Sequence, residues 1–451
     1  MKYDLSIYGL GPASVFLIHS IINTKIKIAV HETGEFDKIG TINNFDKIKG
    51  PFFFNKKERT KSVFGSAALW KQPGIGGHLF YFDKEDFKNW PINYPEICKK
   101  YNEVIKLIEL STNKSISSDF EDKNFLKKMN LLALEKSFNL KLGSGSLKYN
   151  FLKLYQKLIK DIKNSKNIEI FTNSRLIKFN YDFRKQKILS SLVYHGKEKL
   201  IYSKNHILTC GCLESNRIIL QTFKKEKKYL KKYDIGKNIS FHPTLELGKI
   251  KFKEKLSVNY DLFKKTLIFL KPKKYNYMNT GLSLSFNYSN VNSLIEKVVS
   301  RFRKKINHIN ISLLIEHKKN KKNFISLSKK KYTKQDFKMN INTFIDRKNL
   351  DYIKKVSKSF STLLKNKKNF KFIEKNNKIL FETNNHHHGG LCFGKEKNFP
   401  VDKNFRLKGF KNLYICGSSL FPSSSCYGPT LTIMALSRLL ADKIKKKFNV
   451  E

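Results

Sequence analysis

Carboxylates are scarce in this chain. Asp and Glu total 37 against 89 Lys and Arg, a net charge of +52 over 451 residues. Concentrated in one tail or on one helix face, such charge would point to nucleic acid or anionic membrane. Here the lysines run along the whole chain, and Asn, Ile and Phe are abundant with them, as an AT-biased coding sequence produces. The locally rich stretches KEKKYLKKYD and EHKKNKKNF read as loops or solvated faces. No nucleic-acid fold motif accompanies them, so diffuse charge and no nucleic-acid partner are expected.

Cysteine pairs are lacking as well. Cys98, Cys210, Cys212, Cys392, Cys416 and Cys426 are scattered and form no CxxC. In a chain of this size they read as buried thiols rather than a disulfide framework. No apolar run approaches the ~18 residues of a membrane span. No charged and apolar leader precedes the first strand pattern, so a soluble, cytoplasmic protein is expected. No HExxH or similar ligand motif appears, and no metal is expected. The 40% hydrophobic content nonetheless allows a sizeable core and more than one unit of domain size.

What is present begins at once. YDLSIYGLGPASVFLIHSII opens with an apolar strand over 3–8, then a glycine turn, then an amphipathic helix from about Pro12. KIKIAVHE follows as a second strand rich in Ile and Val. This is the opening β-α-β of a dinucleotide-binding fold. Gly9 permits the sharp turn, and Gly11 lets backbone approach a pyrophosphate at the helix start. Ser14 is the small residue for close helix–strand packing. Glu32, twenty-one residues after Gly11, suits a ribose hydroxyl pair and disfavours a 2′-phosphate.

The C-terminal stretch VDKNFRLKGFKNLYICGSSLFPSSSCYGPTLTIMALSRLLADKI contains a short buried strand, NLYIC, a loop, and a mostly buried helix in whose first turn Pro429 can stand. Here the chain resembles the glucose–methanol–choline (GMC) family of FAD-dependent oxidoreductases. Further segments resemble family elements in order: FGSAALW at 64–70, DFKNWPINYPEICKKYNEV, NIEIFTNSRLIKF, HILTCGCLESNRIIL, IGKNISFHP (the family's Gly-[RK]-Asn…His-Pro element) and EHKKNKKNFISLS.

The resemblance implies an α/β fold: a discontinuous Rossmann-like FAD domain from about 1–98, 151–245 and 386–451, and an α+β substrate domain from 99–150 and 246–385 with an antiparallel sheet. It implies cofactor contacts at Gly65, Ser66 and Trp70, at Leu176 and Gly211 toward the adenosine, and at Gly417, Ser418, Pro429 and Thr430. Covalent members carry a histidine just before the tryptophan. Leu69 stands there, so non-covalent FAD is expected unless His78 or another histidine substitutes.

The run HHHGGLCFG at 386–394 then acquires a reading. Similar members carry a histidine three residues before the glycine pair, here His386. It would take the substrate hydroxyl proton while hydride leaves for flavin N5, and histidine fits without a large pKa shift. In an extended segment His386 and His388 would face one way and His387 the other. The implied activity is oxidation of the CH–OH group of a sugar or alcohol, with an unidentified electron acceptor. One departure matters: Gly428 replaces the family's usual Asn or His. Either Tyr427 or His388 fills that role, or its loss is tolerated, or the chemistry is redirected to a lyase or isomerase.

Overall fold

A computed structural model describes residues 2–54, 59–71, 79–110, 138–144, 147–258, 266–272, 280–285, 304–365, 370–375, 381–383 and 385–450. The N-terminal strand Tyr3–Tyr8 sits at the middle of a five-stranded parallel sheet. The order is Leu413–Ile415, Ser203–Leu208, Tyr3–Tyr8, Ile28–His31, Ile168–Phe171. The first four of these strands are nearly all buried, as expected of a parallel sheet covered on both faces, while the edge strand Ile168–Phe171 buries only Ile168 fully. The helix Pro12–Ile21 follows the first strand and is buried almost all round. It is packed beside Leu147–Asn164 and Thr430–Phe448, with Phe16 stacked on Phe151 at 6.3 Å. The strand order reverses between Tyr3–Tyr8 and Ser203–Leu208, and a crevice opens at such a switch point.

Two further sheets cover the carboxyl ends. One runs His388–Gly390, Lys237–Ser240, Phe324–Lys331, Phe337–Asn342, Phe45–Lys49. It is antiparallel except for its last pair. The other is an eight-stranded sheet centred on Thr244–Val258 and Lys304–Ile315. Ile309, Ile311, Leu313 and Ile315 fill one face of the second of these strands. Leu314, of opposite parity, looks into the crevice.

The α/β class with an antiparallel, sheet-rich second part is therefore the one expected. Of the six cysteines, all unpaired, Cys212, Cys392, Cys416 and Cys426 are buried, whereas Cys98 and Cys210 are only partly so. Among the described residues no helix is long and apolar enough to cross a membrane.

Candidate active site

The glycine turn after the first strand is held by backbone geometry. Gly9 has φ +96°, and a Cβ there would lie 2.9 Å from the Thr209 carbonyl oxygen. The turn is tied to the neighbouring strand by Gly9 N–H donating to the His31 carbonyl at 2.8 Å. Glu32 completes it. One carboxylate oxygen accepts from Leu10 N at 2.7 Å and the other from Gly34 N at 2.6 Å. Burial raises the Glu32 pKa, and these backbone donors oppose the rise. The carboxylate thus braces the turn as well as facing the crevice.

The crevice is a cavity of about 360 Å³. Gly9, Gly11, Glu32, Gly65, Ser66 and Trp70 line it, with Gly211, Gly417 and Ser418. Pro429, Thr430 and His386 line it too. Helices start at this cavity at Pro12, Gly211 and Thr430, so free N–H groups and dipole ends converge on it. Pro429 is the N-cap of the last helix rather than a residue of its first turn. Gly211 at φ +71° and Gly417 at φ +121° would each direct a Cβ into space free of protein atoms within 4 Å.

Two of the expected contacts lie elsewhere. Ser14 is buried behind the wall and donates to the Gly11 carbonyl at 2.9 Å, which suits its packing role. Leu176 is buried in the strand Arg175–Asp182 and does not line the cavity. His78 lies outside the described residues.

Arg59, which lines the cavity, was not legible in the sequence. It donates to Glu214 at 2.5 Å and to Asn44 at 2.8 Å. Glu214 also pairs with Arg217, which reaches Asp336, and Arg175 completes the chain. Burial alone would raise the Glu214 carboxyl; Arg217 and Arg59 outweigh it and hold it well below the ordinary range.

The histidines occupy the other end. The run is not a regular strand: Asn385, Gly389 and Gly390 have φ of +58°, +84° and +82°. The expected alternation therefore fails. His386 and His387 both line the cavity. His388 is fully buried behind them, stacked on Phe421 at 5.3 Å. Nδ1 of His386 is 3.0 Å from Nδ1 of His242, a residue 144 positions away that sequence reading passed over inside ISFHP. Burial, with His242 and His387 close by, holds the His386 pKa well below 6.5. This corrects the expectation of a small shift: with the pKa moved in this direction the ring is neutral at pH 7. Beside Gly428, the Tyr427 hydroxyl donates to Asp83 at 3.1 Å. Among the described residues no three His, Cys, Asp or Glu side chains are grouped as a metal site requires.

Residues 319–437 match the family model of the GMC oxidoreductases. This stretch is similar to the GMC oxidoreductases. No curated protein matches the chain by sequence. A likeness of fold to solved structures extends over the whole chain. Pyridoxine 4-oxidase from Mesorbium loti is similar with a TM-score of 0.69 at 13% identity, over 98% of this chain and 99% of that one. A formate oxidase structure gives 0.66 at 13% identity, over 99% and 98%. A variant of the Aspergillus oryzae formate oxidase, studied for its effect on FAD modification, gives 0.65 at 13% identity with the same coverage. At such identities the likeness speaks for the fold, while the GMC match supports FAD-dependent oxidoreduction in general.

Proposed function

We propose that this chain oxidises the CH–OH group of a small alcohol or sugar, with His386 as the base and FAD held without a covalent bond. The observation that carries this reading is convergence. A cradle of glycines and helix starts, and a neutral histidine, open on one cavity. The cradle fits the cofactor: its glycines leave room where side chains would intrude, and its N–H groups suit a pyrophosphate. Gly9, Gly11, Gly65, Ser66, Gly211, Gly417, Ser418 and Thr430 would hold FAD, with Glu32 toward a ribose.

FAD, when bound, supplies the acceptor for the hydride that leaves the alcohol carbon. His386 receives the hydroxyl proton, which its neutral state permits. His387 and Tyr427 narrow the cavity around the alcohol and keep water out. Leu69 lines the cavity where covalent attachment would need a nucleophile, and an alkyl side chain forms no such bond. The same reading assigns 1–98, 151–245 and 386–451 to the FAD-binding domain, with 99–150 and 246–385 binding substrate. The reading leaves the electron acceptor unidentified and assigns no nucleic-acid partner.

Purified protein should be yellow, and acid precipitation should release the flavin into the supernatant. Under anaerobic conditions one of a panel of D-glucose, glycerol, ethanol and benzyl alcohol should bleach the flavin absorbance. A bound flavin that no sugar or alcohol bleaches would favour redirected, non-oxidative chemistry, the reading that Gly428 motivates: glycine contributes no hydrogen bond at the cavity wall.

A further inference from the structure

We infer that His242 is a positioning residue that fixes the tautomer of His386 and so presents Nε2 of that ring as the base. This deepens the proposal that His386 accepts the alcohol proton, and rests on it.

The Ser424 carbonyl sets where the hydrogens sit on the two rings. Nε2 of His242 lies 2.7 Å from the Ser424 carbonyl oxygen. A carbonyl only accepts, so this nitrogen carries the hydrogen. His242 is 2% exposed and in so dry a place stays neutral, which leaves its Nδ1 bare. Nδ1 of His386 is 3.0 Å from that bare nitrogen. Two lone pairs would repel at this distance, so the hydrogen sits on Nδ1 of His386 and is donated to His242. A neutral imidazole has one N–H, and Nε2 of His386 therefore keeps its lone pair. The ring lines the cavity, and its Nε2 has no hydrogen-bond partner among the described residues.

The acceptor that starts this relay is itself anchored. Ser424 lies in the loop leading to Gly428. On one side of it, Ser423 Oγ accepts from Trp90 Nε1 at 2.9 Å and donates to the Asp86 carbonyl at 2.8 Å. On the other, Ser425 Oγ donates to the Asp86 carboxyl at 2.9 Å. Ser424 is fully buried between them. The loop that lacks a catalytic side chain at Gly428 thus still acts on the base, through a backbone carbonyl and His242. Without an acceptor at Nδ1, the His386 ring is free to move its hydrogen to Nε2, where it can take no proton.

The test reads the tautomer directly. Long-range 15N–1H correlation spectra of protein labelled in its histidine rings, assigned by single-histidine substitution, should show His386 protonated at Nδ1 and bare at Nε2, and His242 the reverse. In His242→Leu the His386 hydrogen should shift to Nε2 or exchange between the two nitrogens. Flavin reduction by the most effective alcohol of the panel above should slow by about tenfold or more at saturation, with the half-saturating concentration unchanged. His242→Asn places Oδ1 near the lost Nδ1 and should recover most of that rate. A wild-type His386 protonated at Nε2 would overturn the inference, and does not depend on His242→Leu folding. So would a folded His242→Leu with the wild-type tautomer and rate. A His386→Ala enzyme reducing its flavin at the wild-type rate would instead overturn the base assignment, with the tautomer still as described.

Discussion

The two ends of the cavity are built from different material. The glycine end is backbone: turns at Gly9, Gly211 and Gly417 and the starts of three helices. The histidine end is side chains: His386 and His387 from one irregular segment, His242 from just beyond the neighbouring strand Lys237–Ser240, and Tyr427 from the loop before the last helix. A backbone site is written in short motifs, because a turn and a helix start need only a few adjacent residues. A side-chain site is written across the fold, and each of its members depends on packing supplied from far away in sequence.

The difference suggests how each end fails. At the glycine end, one added side chain should be decisive. Gly11 has φ −90°, open to any residue, and a Cβ there would sit 3.9 Å from Gly65 Cα. Gly11→Val should therefore fold and yet lose flavin altogether, because its methyl groups would fill the approach to the pyrophosphate. The check is the ratio of flavin to protein absorbance after purification, beside an unchanged far-UV spectrum. A full complement of flavin would place the phosphates elsewhere.

The seam between the ends should be next in size. Glu214→Ala leaves Arg59 and Arg217 buried around a missing carboxylate and should cost about 3–5 kcal/mol in chemical denaturation. The folded pKa of Glu214 is depressed. Its stabilisation is thus present above the unfolded value of ~4.3 and is lost as pH falls through that value toward the folded one. The wild type should lose its advantage over the variant in acid. An advantage that is constant with pH would show that Arg217 and Arg59 do not hold that carboxyl.

At the histidine end the effects should be graded. Because the His386 pKa lies well below 6.5, flavin reduction should be flat in pH from about 6.5 upward, with its acid limb below that range. A limb centred at or above 6.5 would mean a base that is less buried. His387→Ala should be the mildest change. It removes a stack on Phe54 at 5.7 Å, costing on the order of 1 kcal/mol of stability and less than tenfold in flavin reduction, both read on the same preparation.

Legibility in the sequence followed the same divide. Gly9, Gly11, Glu32 and the helix from Pro12 were readable because strand, turn and helix are consecutive. The last strand and helix were readable for the same reason. The register of the histidine run was not. Left-handed backbone at Asn385, Gly389 and Gly390 breaks the alternation; glycine and asparagine permit that backbone without requiring it. Nothing in ISFHP marks His242, because its importance lies in meeting a ring 144 residues away. The Arg59–Glu214–Arg217–Asp336–Arg175 chain was invisible in a sequence where 28% of residues are charged.

The central claim is that the histidine end performs proton transfer for an oxidation prepared by the glycine end. Anaerobic stopped-flow reduction of the flavin in His386→Ala tests it most directly. The variant should keep its FAD and its fold, and flavin reduction should fall on the order of ~100-fold or more, the scale expected when a positioned acid–base group is lost. Reduction at the wild-type rate, with FAD bound, would contradict the claim.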